Sequence, residues 1–185
     1  MCTELMNRTM RIFFCLAACL AVVSVHAQVV PAATGRGFAL SAGGLGSVFQ
    51  PDYIGTGVAQ TSPNRLYGVG AFVDARFSRW AQLEAEGRWL RFNAYQGINQ
   101  NTYLIGPRVP IVNFHGLQPY GKFLVGLGNG SFLTGNTFVL SYGGGLDYRL
   151  THRLTVRGDF EYQQWRVNPV LSPYGGSAGI SYRIF

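Results

Sequence analysis

Ionisable side chains recur at every second position in four stretches of this sequence: Asp74 and Arg76; Glu84, Glu86 and Arg88; Asp147 and Arg149; Arg157, Asp159 and Glu161. Three further bases, Arg108, Lys122 and Arg183, sit in runs of the same alternating kind. Side chains of these types can do two sorts of chemistry. Adjacent carboxylates can act as general acid and base, provided that a nucleophile and a group titrating near neutrality lie within hydrogen-bond reach. Alternatively, opposite signs can neutralise one another as ion pairs. The first option lacks its partners. Beyond residue 27 the histidines are His115 and His152, both in short links between runs, and no serine–histidine pair can be assembled near the longer loops. No set of His, Cys and carboxylate has metal-ligand spacing outside the charged runs. The sequence therefore predicts no enzyme activity, no cofactor and no metal site. It predicts that the thirteen residues named above form one ion-pair network of structural character.

The elements that must position those charges are strands. Eight alternating runs follow one another: 38–49, 65–77, 81–92, 101–110, 117–132, 137–150, 154–165 and 173–185. None has the i, i+3, i+4 apolar spacing of an amphipathic helix, and turn residues separate them. Successive side chains of a strand point to opposite faces. Val156, Gly158, Phe160 and Tyr162 thus oppose Arg157, Asp159, Glu161 and Gln163, while Leu83, Ala85 and Trp89 oppose Glu84, Glu86 and Arg88. Apart from Asp52, every acidic residue after residue 27 falls on the charged face.

Which face looks inward is decided by side-chain size. Gly68, Gly70, Gly126, Gly128, Gly143, Gly145, Gly175 and Gly179 share the charged face, whereas the apolar face carries Trp89, Leu140 and Phe160. Small residues belong where room is short, inside a narrow barrel, and bulky apolar ones suit a face that meets lipid. Composition agrees: only 12% of the 185 residues are charged, against roughly 25% in ordinary soluble domains. Strands cross a bilayer only as a closed barrel, since lipid leaves no backbone group a partner. The expected fold is an all-β, closed, eight-stranded antiparallel up-and-down transmembrane barrel over residues 37–185.

Links between runs support this. Ser78–Trp80, Thr151–Arg153 and the stretch 111–116 are tight, while 50–64, 93–100 and 166–172 are longer, with 133–136 the exception. Short turns at one end and longer loops at the other describe an outer-membrane barrel with periplasmic termini. Outward-phase aromatics divide accordingly, with Phe77, Phe123, Tyr148 and Tyr182 near one rim and Tyr67, Trp89, Tyr103, Phe138, Tyr162 and Tyr174 near the other. The chain ends on SAGISYRIF as though Phe185 still belonged to the closing strand.

The beginning of the chain is read separately. Arg8 and Arg11 precede an apolar stretch from Ile12 to Val25, and Val25-His26-Ala27 supplies a small residue at a cleavage position. This predicts a signal peptide over 1–27, cleaved after Ala27, and a tether over 28–36. Leu16-Ala17-Ala18-Cys19 also resembles a lipobox, which would place lipidation at Cys19 instead. Cys2, Cys15 and Cys19 all lie in this segment, so the remaining chain has no thiol for a disulfide or metal. The net charge of +7 comes from dispersed arginines, a poor footprint for nucleic acid.

The stretch GGGLDYRLTHRLTVRGDFEYQ (143–163) and the closing GISYRIF resemble the OmpA-type eight-stranded outer-membrane β-barrels, including the opacity and OmpX-like members. The likeness covers nearly all of residues 37–185. It implies a Gram-negative-type outer membrane, with lipid and the outer-membrane barrel assembly machinery as partners. Gly179, Tyr182, Ile184 and Phe185 resemble the C-terminal signal that this machinery reads. Eight strands enclose an interior just wide enough for side chains to fill. The expected function is thus a structural or surface-interaction role with an ion-paired lumen. A small channel is the alternative, a soluble ligand-carrying barrel the outside one. The longest loop, with Tyr53 and Ile54, leaves an extracellular or envelope ligand open.

Overall fold

Alternation that sorts charge from grease along each run is satisfied by eight strands. They are β1 (Ala39–Gln50), β2 (Leu66–Arg76), β3 (Gln82–Phe92), β4 (Gln100–Pro110), β5 (Leu117–Gly130), β6 (Thr137–Arg149), β7 (Leu154–Trp165) and β8 (Tyr174–Arg183). The computed structural model describes residues 38–52, 65–78, 80–93, 97–131 and 133–185. The expected signal peptide, its rival at Cys19, the tether, and Tyr53 and Ile54 lie outside the described residues. Each strand pairs antiparallel with its sequence neighbours, and β1 pairs with β8, closing the barrel. Closure leaves no ladder edge unpaired, as a bilayer requires.

The runs and strands coincide apart from their ends. β5 stops at Gly130, before the expected residue 132, so its link to β6 covers 131–136. The expectation that Phe185 remains in the closing strand is corrected. β8 ends at Arg183, which pairs with Ser41, and β1 offers only Ala39 and Leu40 beyond that pair. Two late bonds persist: the N–H groups of Ile184 and Phe185 both donate to the Leu40 carbonyl, at 2.8 and 3.4 Å.

The links at the end where β1 begins and β8 finishes are the tight ones. Two of them share a device. In the β2–β3 turn the Ser78 hydroxyl accepts from the N–H groups of Trp80 (3.1 Å) and Ala81 (3.0 Å). In the β6–β7 turn Thr151 Oγ1 accepts from Arg153 (3.3 Å) and Leu154 (3.0 Å). A hydroxyl opening each turn thus supplies acceptors that the backbone lacks there. The β4–β5 turn instead places His115 and Gly116 at φ 50° and 86°. The end bearing these turns is called the turn end below, and the other the loop end.

Candidate functional site

The site is the lumen. Side-chain burial inverts that of a soluble domain. Phe160 is 56% exposed and Val69 54%, whereas Glu84 and Glu161 are fully enclosed and Arg88 and Arg157 nearly so. Soluble proteins almost never bury such ions while displaying aromatic and branched residues all round. The apolar surface is the one that meets lipid.

The enclosed charges form a single linked cluster. Lys122 of β5 is its hub: the Nζ lies 3.1 Å from Glu84, 3.2 Å from Glu86, 3.1 Å from Asp159 and 2.5 Å from Glu161. Arg88 of β3 donates from both Nη atoms to Glu161, at 3.1 and 2.7 Å, and reaches Glu86 at 2.6 Å. Nearer the turn end, Arg108 of β4 donates to Asp147 at 2.5 Å, to Asp74 at 3.3 Å and to Gln82 at 3.2 Å. Arg157 of β7 shares the same acids, bonding Asp74, Glu84 (2.9 Å) and Asp147 (3.3 Å). Neutral groups complete the set: the Tyr120 hydroxyl donates to Asp159 at 3.2 Å and Ser141 to Glu161 at 3.0 Å.

Glycines give this crowd its room. A Cβ on Gly145 would come within 2.7 Å of the Tyr120 hydroxyl and of Asp159. One on Gly128 would meet the Trp165 ring at 2.7 Å and Val139 at 2.8 Å. Inward glycines therefore act as sockets for large neighbours on adjoining strands.

All six expected acids enter the cluster, but only four of the seven expected bases do. Arg76, Arg149 and Arg183 are corrected: they take the inward phase at strand ends near the mouth and make no ion pair among the described residues. Height explains the difference. They sit beyond the last layer of carboxylates, Asp74 and Asp147, which Arg108 and Arg157 have already engaged. Asp52, expected outside the network, accepts from the Ser172 N–H at 2.9 Å. His115 and His152 lie in turn-end links, as expected.

Two features escaped the sequence reading. Arg88, Arg108 and Arg157 stack on Phe49, Tyr120 and Phe72, with guanidinium-to-centroid distances of 4.5, 3.6 and 4.0 Å. The loop end of the lumen is also corked by apolar side chains. Phe49, Leu66, Leu90 and Ile98 form one buried group, and Leu104, Leu124, Val139, Trp165 and Leu171 another. Their inward phase was the available signal. Leu104, Leu124 and Val139 share the face of the charged positions within their strands.

The model of the outer membrane protein beta-barrel domain family matches residues 15–183. This chain belongs to that family. Outer-membrane β-barrel proteins are its members, so the strands described above span the outer membrane. No curated protein sequence matches the chain. Among solved structures, Neisserial surface protein A (NspA) is similar at 14% identity and TM-score 0.58, over 78% of this chain and 96% of that one. The N-terminal barrel of Pseudomonas aeruginosa OprF aligns at 12% identity and TM-score 0.52, over 78% and 97%. OprG of the same organism aligns at 12% and 0.51, over 80% and 96%. At such identities these likenesses establish the fold alone.

Proposed function

We propose that this outer-membrane barrel serves a structural or surface-interaction role with a closed lumen, and that it neither catalyses a reaction nor conducts solutes. One observation supports this reading: the interior is occupied along its length, by linked ions toward the turn end and by an apolar cork toward the loop end. A passing ion would have to displace carboxylates held by several donors each, then cross a dry cluster containing Trp165. Buried charges stripped of their partners are strongly unfavourable, so transient opening is rare.

In this reading the turn end and both chain termini face the periplasm, and the loops face outward. Residues 1–27 direct export and are removed. Gly179, Tyr182, Ile184 and Phe185 act as the assembly signal, and contacts with other molecules fall to the loops. Planar-bilayer recording tests the central claim. Purified, folded protein is expected to leave the membrane silent, and steady single-channel conductance would move the protein to the small-channel class.

A further inference from the structure

The three arginines left out of the network are not scattered. Arg76 of β2, Arg149 of β6 and Arg183 of β8 line one cleft at the turn-end mouth, together with the hydroxyl residues Ser41, Thr155 and Ser181. The cleft holds about 40 Å³, roughly three water positions. A small oxyanion suits that space, and a sugar chain or peptide does not.

The charges acting on Arg76 are mostly of its own sign: Arg183, Arg149 and Arg108, with Asp147 opposing them. The carboxylates of the cleft floor are already engaged. Asp147 and Oδ2 of Asp74 are bonded to Arg108 and Arg157. Guanidinium groups converging without carboxylate partners, beside free hydroxyl donors, match the needs of a tetrahedral oxyanion.

We propose that the turn-end mouth binds a small free tetrahedral oxyanion of the phosphate or sulfate kind. The anion rests above the network and does not pass it, so the site stands whether or not the lumen conducts. A phospholipid headgroup, tethered to its acyl chains, does not fit the cleft and is not its ligand.

Titration calorimetry on the full chain, folded in maltoside detergent at constant ionic strength, tests this with three probes: inorganic phosphate, sulfate and short-chain phosphatidylglycerol. Phosphate is expected to saturate one site, sulfate to compete for it, and both to bind at least tenfold more tightly than phosphatidylglycerol. Arg76→Gln and Arg149→Gln should each weaken phosphate binding at least tenfold. Arg153→Gln, at an arginine of the same end that lies outside the cleft against Tyr182, should leave it unchanged. Gel mobility before boiling confirms that each variant is folded. Absence of saturable phosphate binding, or retention of full affinity in the Arg76→Gln, Arg149→Gln double variant, overturns the site. Phosphatidylglycerol binding as tightly as phosphate overturns the assignment of its ligand.

Discussion

Replacing Lys122 with methionine removes one ammonium from among four carboxylates while keeping most of the side-chain volume. Contacts of 2.5 to 3.2 Å link that ammonium to Glu84, Glu86, Asp159 and Glu161, and the lysine side chain has no exposed surface. At the effective dielectric of about 20 that suits buried sites, each such contact is worth roughly 5 kcal/mol before desolvation. Returning the lysine to water in the unfolded state offsets several kcal/mol of the total. The carboxylates left behind decide the balance. Breaking one buried pair costs about 3–5 kcal/mol. Here four acids lose a shared partner at once, so the expected loss lies at the top of that range, about 5 kcal/mol. Against a typical total of about 5–15 kcal/mol, the barrel would be marginal.

Urea titration in lipid vesicles, read by tryptophan fluorescence and by mobility on unboiled gels, measures that loss. Adding Asp159→Asn to the same chain should restore part of it, because Asp159 is the acid whose ion pair among the described residues is with Lys122 alone. Arg153→Gln serves as the comparison. Its guanidinium lies outside the barrel and donates to the Tyr182 hydroxyl at 2.8 Å, so its loss should cost no more than about 1 kcal/mol. A Lys122→Met protein within about 1 kcal/mol of the parent, the scale of an exposed pair, would refute the claim that the lumen depends on linked ions.

The outward face is tested by Phe160→Arg, in the middle of β7, which should cost about 2–4 kcal/mol in vesicles if that position meets the bilayer core; unchanged urea midpoints would show that it does not. Gly128→Val should overpack the cork against Trp165 and cost about 1–3 kcal/mol, with Trp165→Leu in the same chain recovering part of the loss. Thr151→Ala removes the acceptor of the β6–β7 turn, and a loss of about 0.5–1.5 kcal/mol in the same titration is expected.

Alternation makes a strand's two faces legible, and with them the inward placement of Glu84, Glu161 and Arg157 and the outward placement of Phe160 and Leu140. It says nothing about height. That Lys122 meets Glu84 and Glu86 of β3 and Asp159 and Glu161 of β7 depends on how far each strand is staggered against the next, which no single run encodes. The same blindness hid the cork, because Leu104 on β4 and Trp165 on β7 become neighbours only once all intervening registers are set. Arg76, Arg149 and Arg183 carried the right phase but lie at strand ends, where a charge can reach the mouth instead of the core. The network's face was readable; its membership was a matter of level.

The choice of cation inside the barrel follows from its surroundings. Each of the three enclosed arginines lays its flat face on an aromatic ring and turns its edges to carboxylates. A guanidinium suits this division, since its donors lie in one plane and its faces are poorly hydrated. Lys122, the chain's only lysine, is surrounded by acids from two strands on different sides of it. A compact ammonium can meet them all, where a planar fork would satisfy two and leave the rest. Rings thus occupy lumen volume that further cations would otherwise fill, and they let four bases organise six acids. Packing and charge are the same structure here, so removing one ion pair would leave rings and neighbouring side chains in place and open no continuous aqueous path.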